Sequence, residues 1–105
     1  MKVGYGLLTA FYTHPGEKDN LVKTLLEAAE ALDDYNTCIQ YIVSESETEA
    51  DTVFVSEIWV DKGHHAASLD NPAVQETIAR AKPMIKEIKQ IKQIQELDIL
   101  GGKGV

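Results

Sequence analysis

The stretch "TVFVSEIWV", Thr52 to Val60, narrows what this chain can fold into more than any other. Read as a strand, it turns Val53, Val55, Glu57 and Trp59 to one side and Phe54, Ser56, Ile58 and Val60 to the other, so apolar residues face both ways. A sheet built on such a strand needs cover on both faces. With 105 residues, 44% of them apolar, the chain has material for one modest core and none for a second. One domain is therefore expected over residues 1–100, followed by a flexible tail at 101–105, "GGKGV". That tail has the glycines of a phosphate loop but no following helix to aim its N–H groups.

The rest of the pattern supplies cover for one face only. Val3 to Thr13 reads as a first strand, stopped by "HPG" at His14 to Gly16. Glu17 to Leu32 carries Leu21, Leu25, Ala28 and Leu32 at helical spacing, with Val22, Ala29 and Leu26 widening the stripe. Cys38 to Ser44 is short, β-branched and aromatic, and the acidic turn Glu45 to Asp51 joins it to Thr52–Val60 as an antiparallel hairpin. A short helical turn around His64 to Leu69 comes next. A second helix then starts at "DNPAV", where Asp70 or Asn71 caps and Pro72 occupies the first turn. Val74, Ile78, Ala81 and Ile85 stack along that helix, with Pro83 in its final turn or just beyond, and a final strand is expected over about Gln90 to Ile99.

The order strand, helix, strand, strand, helix, strand predicts an α+β layer of one antiparallel sheet with helices on one face. Leaving several hundred Å² of the other face wet would forgo on the order of 10 kcal/mol at about 25 cal/mol per Å², as much as a domain's whole stability. A second copy meeting it face to face, a homodimer, is the symmetric answer.

Charge narrows the partners further. Ten Lys and Arg against seventeen Asp and Glu leave a net charge of −7, which repels nucleic acid and anionic membrane surfaces. No apolar run approaches the roughly 20 residues of a membrane span. The single cysteine, Cys38, can form neither an internal disulfide nor a thiolate metal cluster, and suits a cytoplasmic protein.

Chemistry-bearing residues concentrate in "EIWVDKGHHAASLDNPAV", Glu57 to Val74. Glu57 and Trp59 share a strand face. A carboxylate there is either bonded to a neighbouring strand or, facing a pocket, raised in pKa as a general base requires. Trp59 serves equally as a core anchor or as a pocket wall. Adjacent residues on a helix point about 100° apart, so His64 and His65 cannot share one cavity or chelate one metal ion. Gly4 and Gly6 lack the third glycine of a dinucleotide loop, with Thr9 at that place, and read as room for a packed helix or a pocket.

Three segments, in this order, resemble the antibiotic biosynthesis monooxygenase superfamily: the first strand ending in "HPG" before a helix, Phe54, Glu57 and Trp59 within Thr52–Val60, and "SLDNPAV" leading into a helix. The resemblance spans nearly the whole chain. It implies a ferredoxin-like protomer with a four-stranded antiparallel sheet, paired into a dimeric α+β barrel. It also implies oxygenation of a small electron-rich aromatic of quinol or anthrone type by O2, with no cofactor and no metal. Set against an anthrone-oxidising relative and aligned on the tryptophan, Trp59 matches the catalytic Trp, Val55 stands at its Asn, His65 at its Tyr, and Arg80 lies one place from its Arg. His65 is accordingly the histidine expected to face inward, where an imidazole can take a phenolic proton. Against haem-degrading relatives the equivalent positions are Thr9, Ser68 and Ile78, none of which carries the Asn, Trp or His expected there. The expected catalytic group is His65, Glu57 and Trp59, in a pocket with Thr9, Val55, Ser68, Ile78 and Arg80. Two other functions remain open at this point: a non-catalytic ligand-binding or stress-related dimer, and haem handling through another ligand.

Overall fold

The computed structural model describes residues 1–86 and 94–105. Its elements are β1 (Gly4–Tyr12), α1 (Lys18–Ala31), β2 (Cys38–Glu45), β3 (Thr52–Trp59), α2 (Lys62–Ser68), α3 (Pro72–Ala81), a 3-10 turn (Lys82–Met84) and β4 (Ile94–Ile99). The strands form one sheet in the order β2-β3-β1-β4, every neighbour antiparallel. This is the ferredoxin-like α+β arrangement expected. The last strand is present from Ile94, and the expected portion at 90–93 lies outside the described residues.

Local chemistry explains the boundaries. Asn71 caps α3: its side-chain oxygen accepts from the N–H of Ala73 at 2.7 Å and of Val74 at 3.4 Å, and Pro72 follows at the first helical position. Pro83 falls in the 3-10 turn, after which Ile85 bridges Thr13 and Lys86 N–H donates to the Tyr12 carbonyl. The end of α3 is thereby tied to the end of β1. On α1, Leu21, Leu25, Ala28 and Leu32 are buried as the spacing requires. Leu26, expected in the same stripe, is 48% exposed, and Thr24 is buried instead. Position 24 lies three residues past Leu21 on the covered side, and its hydroxyl is satisfied by the Asn20 carbonyl at 2.8 Å.

Strand register sorts the residues by face. Tyr5, Leu7, Thr9 and Phe11 of β1 stand opposite Trp59, Glu57, Val55 and Val53 of β3, and Tyr41 and Val43 of β2 stand opposite Glu57 and Val55. This inner face lies under the helices. Leu21 and Leu25 pack there with Val53, Val55 and Ala81, and Leu32 packs with Tyr5, Leu7 and Trp59. The outer face carries Leu8, Ile42 and Phe54, all exposed.

The two strand glycines correct one expectation. Gly4 and Gly6 alternate with Tyr5 and Leu7, so the two-residue period puts them on the outer face, away from the helices. A Cβ on Gly6 would stand 2.7 Å from Ile99 Cδ1, and one on Gly4 would stand 2.9 Å from the Trp59 carbonyl oxygen. They make room for β4's isoleucine and the β3 backbone, not for a helix or for space beneath the helices.

Candidate active site

Between the sheet and the helices the fold leaves a cavity of about 260 Å³. Its sheet side is Phe11, Tyr41, Glu57 and Trp59. Opposite stand Leu25 and Ala28 of α1, Leu32 at its C-cap, and Val74, Thr77, Ile78 and Ala81 of α3. One end is closed by α2 through His65 and Ser68. The walls are mostly hydrocarbon, with a few polar groups gathered at the α2 end, the usual make-up of a small-molecule site.

The geometry of that end follows from how α2 begins. Asp61 is its cap: Oδ1 accepts the His64 N–H at 2.8 Å and also meets His64 Nδ1 at 2.7 Å. The cap therefore holds the His64 ring outward, and a further 100° of helix turns the His65 ring inward. There its centroid lies 5.4 Å from the Trp59 ring and 5.8 Å from that of Tyr5. His65 Nε2 is 4.0 Å from Glu57 Oε1, the same oxygen that accepts the Trp59 indole N–H at 3.1 Å. Tyr35 meets the indole edge-on, and its hydroxyl accepts from the Asn71 side-chain amide at 2.6 Å, joining the tryptophan's support to the cap of α3.

Burial dominates the electrostatics of this group. It pushes the Glu57 carboxyl above the ordinary carboxylate range, opposed by the Trp59 N–H bond and by the charge of His65. The Tyr41 hydroxyl, opposite Glu57 across the hairpin, is pushed far up by burial first, then by the Glu57 charge and by Cys38. The Cys38 thiol is raised to about 11, again by burial and then by Glu57. A carboxyl moved toward neutrality beside an imidazole is an acid–base pair suited to removing a phenolic proton.

Of the residues singled out in the sequence, His65, Glu57, Trp59, Ser68 and Ile78 line this cavity together. Ser68 is buried, and its hydroxyl donates to the His65 carbonyl at 2.6 Å, bracing the turn that carries the imidazole. Thr9 and Val55 sit on the inner face but away from the cavity wall, Val55 packing with Leu21 and Leu25. Arg80 points from α3 to α1, where it pairs with Glu27 at 2.7 Å in a largely solvated position. Tyr41, a tyrosine that could serve a pocket or sheet packing equally well by sequence, is on the cavity wall, where pairing β2 with β3 sets it against Glu57. Among the described residues no group of three or more His, Cys, Asp and Glu is placed to hold a metal ion, and no helix is long and apolar enough to cross a membrane.

The same fold recurs in solved structures. A candidate antibiotic biosynthesis monooxygenase from Chloroflexus aurantiacus is 30% identical, with a TM-score of 0.83 over 94% of this chain and 95% of that one. Proteins of the same description from Caulobacter crescentus (17% identity, TM-score 0.84, 95% of this chain and 92% of that one) and Deinococcus radiodurans (19%, 0.78, 93% and 94%) share the fold. No curated protein matches. The sequence model described as antibiotic biosynthesis monooxygenase matches residues 4–80, from the start of β1 to Arg80 of α3, and thus takes in Glu57, Trp59, His65 and the helices that roof them. By that match the chain belongs to the antibiotic biosynthesis monooxygenase family.

Proposed function

We propose that this protein oxygenates a small electron-rich aromatic, of the quinol or anthrone type, with O2 and without a cofactor. Family membership supports a monooxygenase-type role in general. One observation carries the specific reading: Glu57 and His65 sit 4.0 Å apart at one end of an otherwise apolar cavity, beside the indole of Trp59. A phenol bound there lays its ring against hydrocarbon and Trp59 and directs its O–H at the acid–base pair. Loss of that proton in a water-poor cavity yields an electron-rich anion that reacts with O2. The balance needs no outside reductant: the substrate surrenders two hydrogens and gains one oxygen atom, and the second oxygen leaves as water.

Volume favours the smaller members of the class. On a scale where an apolar cavity of roughly 150 Å³ takes up benzene, about 260 Å³ suits about ten heavy atoms, one substituted ring or two fused rings. The test is oxygen uptake by metal-free protein over a series of one-, two- and three-ring hydroquinones and anthrones. One O2 consumed per substrate is expected, with a maximum at one or two rings. Glu57→Gln and His65→Ala should each lower kcat/KM by about a hundredfold or more. No uptake above the buffer rate across the series would overturn the reading. Saturable ligand binding without uptake would replace it by the non-catalytic binding role.

The working unit we propose is a homodimer joined through the outer face of the sheet. Leu8, Ile42 and Phe54 are 43%, 51% and 40% exposed there, and Leu8 and Phe54 line an open groove of about 400 Å³ with Tyr12 and Ser44. Equilibrium sedimentation down to nanomolar protein measures the association, and a monomer at micromolar concentration would sink it.

A further inference from the structure

His65 has a second side. Its Nε2 looks toward the buried Glu57, while its ring lies 5.8 Å from that of Tyr5, which lines a polar hollow at the sheet's edge. The Tyr5 hydroxyl donates to Glu96 Oε1 at 2.6 Å, and Lys62 Nζ lies 3.1 Å from that same oxygen. Three remote parts of the chain thus meet behind the imidazole: β1 through Tyr5, β4 through Glu96 and the start of α2 through Lys62. Glu96 faces inward by register, since Tyr5 and Leu7 stand opposite Asp98 and Glu96.

We propose that Tyr5 and Glu96 are positioning residues for His65, giving the imidazole a solvent-facing carboxylate opposite the buried one and the proton taken inside the cavity a way out to water. The proposal rests on the acid–base reading of the Glu57–His65 pair. In the sequence it implies, the ligand O–H proton passes to His65 Nε2, directly or by way of Glu57, and the imidazolium then releases an N–H proton to water beside Glu96. Only O–H and N–H bonds change, and Glu96 stays ionised throughout. Its carboxyl is held below the ordinary range by the Tyr5 hydroxyl and by Lys62. Tyr5 keeps its own proton, its hydroxyl raised to about 12 by burial and then by Glu96. Among the described residues, the charged or titratable groups around His65 are Glu57 from β3, Tyr41 from β2, Tyr5 from β1, Glu96 from β4 and Lys62 from its own helix. Asp61 and His64 are engaged with each other on the exposed side, and α1 and α3 present hydrocarbon and Thr77.

The test is an NMR titration of the His65 ring in wild type, Glu96→Gln and Lys62→Met, read beside the pH profile of kcat/KM. Removing the Glu96 charge should lower the His65 midpoint by about half a pH unit, a threefold change in proton affinity. Removing Lys62 should raise it, and the acid limb of the kcat/KM profile should move with the midpoint. Midpoints equal to wild type in both variants overturn the proposal. The titration needs no substrate, so the two ideas separate. A shifted midpoint in a protein that consumes no oxygen supports the coupling and removes the catalytic reading, whereas turnover with unmoved midpoints removes the coupling alone.

Discussion

The two faces of the sheet are made by alternate residues of the same strands, and their fates differ. Val53, Val55 and Trp59 face the helices and are at most 2% exposed; one residue along, Phe54 is 40% exposed. Both sets are apolar, so hydrophobicity alone does not separate them. What separates them is cover within the chain: α1 and α3 lie over one face, and among the described residues no element lies over the other. The covered face is also where a carboxylate becomes chemically unusual. Glu57, beneath the helices, has its proton affinity raised by burial, whereas Glu96, at the rim and solvated, has its own lowered by a hydroxyl and a lysine. Position relative to the helix layer, rather than residue type, raises the proton affinity of one acid and lowers that of the other.

The strongest way to break this contrast is to empty the covered face. Trp59→Ala should cost about 3–5 kcal/mol in denaturant unfolding, since it removes a side chain 1% exposed and the N–H bonded to Glu57. The equivalent attack on the outer face should leave the protomer folded: Phe54→Arg with Ile42→Arg is expected to weaken self-association by about a hundredfold, measured by sedimentation, with the far-UV spectrum unchanged. Phe54→Ala by itself should fall between that pair and wild type.

A subtler probe is Glu57→Gln. A carboxyl whose proton affinity is higher folded than unfolded destabilises the fold once it ionises. Wild-type stability should therefore fall as pH rises from the ordinary carboxylate value through the raised one. The glutamine variant should melt higher than wild type at pH 8 and equal to it below the unfolded carboxylate value, in calorimetric scans across pH. Equal melting at both ends would mean that Glu57 is not held in a desolvated place. The smallest effect belongs to Arg80→Ala. Its pair with Glu27 is solvated, so a loss below about 0.5 kcal/mol and an unchanged kcat/KM are expected.

Much of the fold was legible because each element has a local cause. The spacing of Leu21, Leu25, Ala28 and Leu32 marks a helix face, "DNP" marks the start of α3, and alternation in Thr52–Trp59 separates the two faces. Legibility failed where the answer depends on a distant partner. Leu26 looks like part of the α1 stripe until the angular reach of the sheet leaves it in water. Gly4 and Gly6 look like space for a helix until pairing brings Ile99 over them. For the site, strand alternation sufficed to group Glu57 with Trp59, and the family resemblance added His65, all within nine residues of sequence. Arg80 could not be sorted in the same way, because whether an α3 side chain points at the cavity or along α1 is decided by helix packing. Tyr5 and Glu96 were out of reach altogether. They stand 91 residues apart and meet only because β1 and β4 are neighbours in the sheet.

By itself the amino-acid sequence determined the element order, the two-sided greasiness of β3 and the divergence of the two adjacent histidines, since these follow from periods of 2 and 3.6 along a single segment. Tertiary structure alone decided which acid is buried, how much space remains under the helices and what stands behind the imidazole. Those properties belong to surfaces brought together from opposite ends of the chain, and desolvation and cavity volume have no value until both surfaces are in place.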